Sequence, residues 1–371
     1  MELMKNGLSE PAIQRIAKAF SQVLPSFNTA SFSKDVLVSY QDLELKERVN
    51  HIITQLHKQL PKDFVETVKV FEKIPAIWDK GNIDDPLRSF AAWPIIDYVG
   101  VYGLSHPHES LAILKQLTGL FSAEFAIRPL IKKYPDECHQ QFLLWLKSEN
   151  EDVRRLISEG TRPRLPWGMR LHQFIDNPNT NMPLLTHLKN DPSLYVRRSV
   201  ANHLNDIAKD HPKLVIDVCT LWYKEANNEL QWLIKHATRS LIKAGHAEVF
   251  PLLGFTESPQ ISVEKLSISN KVINMGETIA FEFKLLSKSN SQQKLVIDYA
   301  IHFVKANGKQ QAKVFKLKNV NLANNEENRV TKQFSFKAIS TRKYYPGEHK
   351  IEILINGLSM ASVNFEVMQV K

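Results

Sequence analysis

Along the first two thirds of the chain, apolar residues recur at helical spacing. Ile13, Ile16, Ala17, Phe20 and Leu24 form one amphipathic stripe. Phe27, Phe32 and Val36 to Tyr40 extend that packing. Residues 42–60 predict a further helix through Leu43, Leu45, Val49, Ile52, Ile53 and Leu56, residues 63–79 another, and 88–103 are nearly all apolar. From about residue 105 a repeat emerges. Asn150-Glu151-Asp152-Val153-Arg154-Arg155-Leu156 is echoed by the run from Asp191-Pro192 to Val196-Arg197-Arg198-Ser199, and more weakly by Leu233-Ile234-Lys235-His236-Ala237. Val153, Val196 and Ile234 lie 43 and 38 residues apart, within the range of HEAT-like helix pairs. Each is preceded by a further helical run, at 138–147, 182–189 and 214–223. Asp191-Pro192 has the form of a capped helix start, and Gly160 that of a left-handed helix stop. One such unit cannot bury its own apolar face, so neighbours must stack, and the concave side of a stacked array is a natural groove.

Near residue 255 the pattern changes to period two. Pro251 and Pro259 flank Gly254 to Ser258, which read as a linker. Strands are predicted at 261–269, 277–286, 293–304, 311–318, 329–338, 348–355 and 360–368. Asn307-Gly308 and Asn356-Gly357 are hairpin signals. This pattern predicts an immunoglobulin-like sandwich without the Cys–Trp–Cys core of antibody domains. The expected fold class is therefore multidomain, α then β: a HEAT-like α-solenoid over 1–255, then an immunoglobulin-like β-sandwich over 256–371.

Composition sharpens this picture. The 371 residues carry a net charge of +9, a balance that favours polyanionic partners. Residues 256–371 hold 17 Lys and Arg against 10 Asp and Glu, so the β-rich part carries most of the excess. No apolar run reaches the roughly 18 residues a membrane span needs. The opening stretch MELMKNGLSEPAIQRIAKAF lacks the apolar core and cleavage site of a secretory signal. A cytoplasmic protein is expected, and Cys138 and Cys219 read as buried free thiols. Phosphate-cradling G-x-x-x-x-G-K-[ST] and G-x-G-x-x-G loops, the G-x-S-x-G elbow and Cys-x-x-Cys are all absent from the sequence. His106-Pro107-His108 reads as a turn rather than a metal site. With no metal or cofactor expected, chemistry falls to carboxylates, aromatics and basic residues.

One constellation stands out. A helix carrying Arg154 and Arg155 runs to Glu159 and Gly160, then gives way to Thr161-Arg162-Pro163-Arg164-Leu165-Pro166-Trp167-Gly168. A proline-stiffened loop with two arginines and a tryptophan suits phosphate contact and stacking on a base or a cation. The same Trp could equally pack on the array. Glu159 lies just before this loop. Asp206 flanks the stripe Val196, Val200, Leu204 and Ile207. Glu124 sits in an otherwise apolar helix, where a solvated face or a pair with Arg128 is the plainer reading.

The stretches FSAEFAIRPLI (121–131), NEDVRRLISEGTRPRLPWG (150–168) and DPSLYVRRSVANHLNDIAKDHP (191–212) resemble the AlkC branch of the AlkC/AlkD HEAT-like DNA glycosylases. The resemblance covers roughly residues 1–255, and a generic HEAT protein has no reason to carry the run S-E-G-T-R-P-R-L-P-W. The β-domain fits too, since some members carry an immunoglobulin-like domain that helps clamp DNA. The resemblance implies monofunctional, metal-free release of cationic alkylated bases, 3-methyladenine and 3-methylcytosine, in base excision repair. It implies double-stranded DNA as partner, and a monomer is expected. It nominates Glu124, Glu159 and Asp206 as catalytic carboxylates and Trp167 as the aromatic contact. Arg155, Arg162 and Arg164 would hold phosphates or fill the gap around the lesion, with Arg197 and Arg198 also on the DNA side. Two competing readings remain at this point: a non-catalytic HEAT module that binds damaged DNA or docks another protein, and a scaffold with no nucleic-acid role.

Overall fold

The structure, a computed structural model, describes residues 4–339 and 342–369. It divides into two compact units, Met1–Asp210 and His211–Lys371. No helix among the described residues is long and apolar enough to cross a membrane.

The first unit is built from helices around Phe20, Phe32, Tyr40, Phe71, Trp93 and Trp145, all fully buried. The stripe from Ile13 to Phe20 faces this core from helix Glu10–Val23. The 42–60 pattern becomes helix Leu45–Gln59, opened by a reciprocal Glu44–Glu47 capping box and stopped before Pro61. Two expected helices are each divided. Residues 63–79 form Phe64–Phe71 and Ile74–Ile77, because Pro75 has no N–H for the carbonyl of Phe71. Residues 88–103 form a 3-10 turn, Arg88–Ala92, followed by helix Trp93–Tyr102 with Pro94 in its first turn.

The repeat is real in three dimensions. Helices Glu151–Gly160 and Leu194–Ile207 pack against each other, preceded by Pro135–Trp145 and Met182–Leu188. Val153 and Val196 are buried at equivalent places. The first arginine after each valine does the same task twice. Arg154 Nη1 donates to the carbonyls of Ser148 and Glu149, at 2.8 and 2.9 Å. Arg197 Nη1 donates to those of Asp191 and Pro192, at 2.6 and 2.9 Å. Each thus closes the loop that precedes its own helix. Arg154 also pairs with Asp191 at 2.6 Å, which ties one repeat to the next.

Two sequence readings need correction here. Asp191-Pro192 does not start its helix; Ser193 is the cap, its hydroxyl accepting the Tyr195 N–H, and Asp191 is taken up by Arg154. Gly160 is not a left-handed stop. It is the last helical residue and is followed by Thr161 at φ −91°. Its reason is proximity: a Cβ there would lie 2.8 Å from Ile127 Cγ2.

The second unit begins with helices Pro212–Tyr223, Asn228–Ala237, Arg239–Ala244 and Val249–Leu252. Among the described residues eight strands follow: β1 Ile261–Ile268, β2 Val272–Asn274, β3 Thr278–Ser287, β4 Gln293–Val304, β5 Gln310–Leu322, β6 Glu327–Ser335, β7 Gly347–Ile355 and β8 Leu358–Met368. They make sheets of order β1-β3-β6 and β2-β8-β7-β4-β5. Phe281, Phe283 and Leu285 of the first sheet share one core with Ile297, Tyr299 and Ile353 of the second. The short β2, which the alternating pattern did not announce, pairs in parallel with the end of β8. Asn307-Gly308 turns β4 into β5. Asn356-Gly357 turns β7 into β8, with φ +44° and +77°, the pair of left-handed residues a two-residue hairpin turn requires.

The stretch read as a linker is pinned rather than free. Asn356 Nδ2 donates to the Thr256 carbonyl at 2.7 Å, and its Oδ1 accepts the Val296 N–H at 2.8 Å. Thr256 N–H donates to the Lys294 carbonyl at 2.9 Å. Gly357 also meets Gly245, the left-handed cap of helix Arg239–Ala244, so closely that a Cβ on Gly357 would lie 2.3 Å from Gly245 Cα. Gly357→Ala is expected to destabilise the second unit by about 2–4 kcal/mol, combining left-handed strain with a backbone clash. Gly308→Ala, with φ +75° but nothing within 4 Å, should cost only about 1–2 kcal/mol of strain. Urea unfolding of both variants checks this ordering.

Candidate active site

Asn150 caps helix Glu151–Gly160 by accepting the Asp152 N–H at 2.8 Å. Val153, Leu156 and Ile157 bury its apolar face. Arg155 and Glu159, one turn apart, lie together along another face, with Nη2 and Oε1 3.5 Å apart. At the end of the helix the chain enters the proline-stiffened loop. Leu171 N–H closes that loop on the Pro163 carbonyl at 3.2 Å. Arg128, fully buried, braces both limbs: Nη1 donates to the Gly160 carbonyl at 2.8 Å and Nε to the Met169 carbonyl at 2.6 Å. Burial pushes this guanidinium down to about 10.

Side chains from three segments then meet in an alternating ladder. Arg155 Nη1 pairs with Glu124 Oε2 at 2.7 Å. Arg155 also reaches Glu159, and Glu159 Oε1 pairs with Arg162 Nη1 at 2.6 Å. Arg162 Nε pairs with Asp206 Oδ2 at 2.8 Å. Ser199 donates its hydroxyl to Glu159 Oε2 at 2.5 Å, and Lys209 lies 3.0 Å from Asp206 Oδ1. Three carboxylates thus share two guanidinium groups; the half-exposed Lys209 adds a positive charge at the far end, and the buried Arg128 guanidinium acts on all three carboxylates. Burial by itself would raise the Glu159 carboxyl, but Arg155, Arg162 and the Ser199 hydroxyl outweigh it and hold it below the ordinary carboxylate range. The same carboxylates keep Arg155 and Arg162 charged despite their burial. All of these residues lie in the first unit.

Around the ladder the surface is aromatic. Trp167 is 55 % exposed at the loop tip, and its φ of +63° is unusual for a bulky residue and typical of a functional constraint. Lys46, from helix Leu45–Gln59, donates to its carbonyl. Tyr195 lies under Arg155, whose Cζ is 4.7 Å from the ring centroid.

Of the residues nominated from sequence, Glu124, Arg155, Glu159, Arg162 and Asp206 come together in this ladder, and Trp167 stands exposed on the loop that carries Arg162. Glu124 is not helical as expected. It lies in a turn between helices Pro107–Leu117 and Ile127–Lys133, and Arg128 turns away from it to the loop carbonyls. Arg162, expected to hold phosphate or the lesion gap, is buried and engaged by two carboxylates. Arg155 likewise pairs with carboxylates. Arg164 forms a two-pronged pair with Asp210, both contacts at 2.7 Å. Arg197 is buried against its own loop, for the reason given above, whereas Arg198 is exposed. Sequence reading missed Tyr195, Ser199, Lys46 and His203, and it placed Arg128 with Glu124 rather than on the loop carbonyls. A buried polar side chain inside an apolar helix was the available signal for Arg128.

The immunoglobulin-like part, residues 262–369, matches a family model described as the C-terminal Ig-like domain of the uncharacterised protein YhaZ. YhaZ of Bacillus subtilis is 37 % identical over 366 residues, 98 % of this chain and 99 % of that one. The solved Pseudomonas fluorescens alkylpurine DNA glycosylase AlkC, bound to DNA containing an abasic site analog, superposes with a TM-score of 0.91 at 36 % identity, over 99 % of this chain and 100 % of that one. This chain belongs to the AlkC and YhaZ family. The likeness spans both units, so the family's whole architecture, helical array and Ig-like domain, is present here.

His203 backs the ladder. It is fully buried, and its Nδ1 lies 3.0 Å from the Ser158 carbonyl, behind Glu159. Burial, and then Arg162, push it down to about 3. The unfolded chain takes up a proton near pH 6.5 that the folded chain refuses until about 3, so acid favours unfolding across that window. Wild type should therefore lose stability as pH falls from 6.5 to 4 more steeply than His203→Gln. Urea midpoints across that range measure the difference, and equal slopes would refute it.

Proposed function

We propose that this protein is a monofunctional DNA glycosylase that hydrolyses the N-glycosidic bond of cationic alkylated bases, 3-methyladenine and 3-methylcytosine, in double-stranded DNA. The observation that carries this reading is the Glu124–Arg155–Glu159–Arg162–Asp206 ladder beside an exposed tryptophan, in a chain of the AlkC family.

An alkylated base of this kind already carries positive charge. As its bond to C1′ breaks, the base leaves as a neutral molecule with the bonding electron pair, and the positive charge passes to the sugar. Carboxylates fixed before the reaction lower the energy of that oxocarbenium-like state. Water then bonds to C1′ and gives its proton to a carboxylate or to solvent. Asp206 and Glu159, both buried and both paired with Arg162, are suited to the sugar; Glu124 completes the ladder at its other end. The exposed face of Trp167 suits a flat cation. Arg155 and Arg162 act by pairing with the carboxylates and holding them in register.

The second unit supplies a basic surface for the duplex. Lys313, exposed on β5, is held below the ordinary lysine range by slight desolvation, then by Arg342, Lys243 and Lys305, so four cations converge there. The helices after Asp210 belong to the same compact unit as the sandwich, so point substitutions test this role better than truncation at the composition boundary.

Purified protein incubated with methylated DNA is expected to release free 3-methyladenine, read by mass spectrometry. Asp206→Asn and Glu159→Gln should each slow single-turnover release about a hundredfold or more while keeping DNA affinity within a few-fold. Wild type that binds DNA without releasing any N3-methylated base would leave only the damage-binding reading. Lys305→Glu with Lys313→Glu should weaken DNA binding about tenfold and flatten its salt dependence, with little change in the rate of bound complexes. An unaltered salt slope would remove the second unit from the interface.

A further inference from the structure

Helix Trp93–Tyr102 fills its interior with Ile95, Ile96, Tyr98 and Val99, yet carries one carboxylate, Asp97. Its Oδ2 accepts the Trp93 indole N–H at 2.7 Å, one turn back along the helix. Its Oδ1 is sealed from solvent and has no hydrogen-bond partner among the described residues. An unsatisfied carboxylate oxygen destabilises a fold, and a satisfied indole alone does not require one. Asp97 therefore calls for an explanation beyond packing.

The indole it holds leads to the ladder. Trp93 stacks on Phe121 at 5.4 Å and 21°, and on Phe125 at 5.2 Å and 27°. Those two rings flank Glu124 along the chain. Glu124 sits in a turn, where no regular helix fixes its backbone; the Ala123 N–H to Thr118 Oγ1 bond, at 3.2 Å, is one of few local ties. The carboxylate meets Arg155, which also donates to Ser122 Oγ at 2.6 Å, and the residues around it in the chain, Phe121 and Phe125, carry the rings stacked on Trp93. Rotation of the Trp93 ring would displace both phenylalanines; Phe90 packs edge-on against the indole at 5.8 Å, and the Asp97 bond fixes its N–H edge.

We propose that Asp97 is a positioning residue for Glu124: by fixing the indole of Trp93 it sets the two rings that bracket Glu124, and so holds that carboxylate in place opposite Arg155. The inference rests on the glycosylase reading for its catalytic consequence, although the geometry it describes does not. The charged groups around Asp97 agree with a place in the site. Lys46 from helix Leu45–Gln59 and Glu124 itself both act on it, and burial pushes its carboxyl up to about 7 against the opposing effects of the Trp93 N–H and Lys46. Lys46 also lies 5.7 Å from the Phe125 ring centroid and reaches the Trp167 carbonyl, so the same cluster extends to the loop tip.

Crystal structures and single-turnover rates of four variants test this. In Asp97→Leu the Arg155–Glu124 contact of 2.7 Å should open beyond hydrogen-bonding distance. Base release should slow about tenfold to a hundredfold, with the dissociation constant for DNA unchanged within about twofold. Adding Glu124→Gln should cause no further slowing, because both changes remove one function. Asp97→Asn, which keeps an acceptor for the indole, should restore the contact and most of the rate. Trp93→Phe, which keeps a ring but removes the N–H, should behave like Asp97→Leu and serves in its place if that variant does not fold. If wild type releases no base, the glycosylase reading fails, while the Arg155–Glu124 distance in the variants still decides this inference. An intact contact in Asp97→Leu, or rate losses that multiply in the double variant, would overturn it.

Discussion

Arg162 is the side chain on which the site depends. It leaves a loop, enters a buried space between two helices of successive repeats, and gives Nη1 to Glu159 and Nε to Asp206. Each of these groups would be costly to bury alone. Without the guanidinium, Glu159 and Asp206 would each lose a partner in a low-dielectric setting, which disfavours the charged form of a carboxylate. Without either carboxylate, a buried cation would lack its partner. The loop path follows from the same bond: the chain must turn at Gly160 to bring Arg162 inward, Arg128 braces both limbs, and Trp167 is left facing outward at the tip.

The second unit obeys a different constraint, close backbone approach. Gly245 and Gly357 meet where no side chain fits, and Asn356 ties the segment after the last helix to the sheet edge. The change in hydrophobic period near residue 255 marks where helices give way to strands, between Leu252 and Ile261. The compact units divide earlier, after Asp210. Periodicity reports local structure, and which elements pack together is decided by contacts such as these two glycines, which carry no periodic signal.

The same distinction governs how much of the site could be read in advance. The repeated Val-Arg-Arg and the run from Glu159 to Trp167 were legible because their spacing and residue types are unusual. That Arg155, Glu159 and Arg162 stand near one another follows from turns of one helix and the residues just past its end. That Asp206 and Glu124 complete the ladder depends on tertiary packing across 44 and 31 residues of chain for the two pairs concerned. Prolines 75 and 94 divided helices whose apolar pattern ran through them. Asp97 stood in plain view as the lone carboxylate of an apolar run, but its partner at i−4 is an indole, and hydrophobic patterning counts an indole only as apolar.

The duplicated Val-Arg-Arg also bears on how such an array acquires chemistry. In both copies the first arginine closes its own loop, so that position is fixed by folding in each of the two. The second is not. In one copy it is Arg155, buried among carboxylates over Tyr195; in the other it is Arg198, open to solvent. A repeat that keeps one arginine for architecture leaves its neighbour free to diverge. An ancestral array could thus change what it does at a single position per repeat without endangering the stack that holds it.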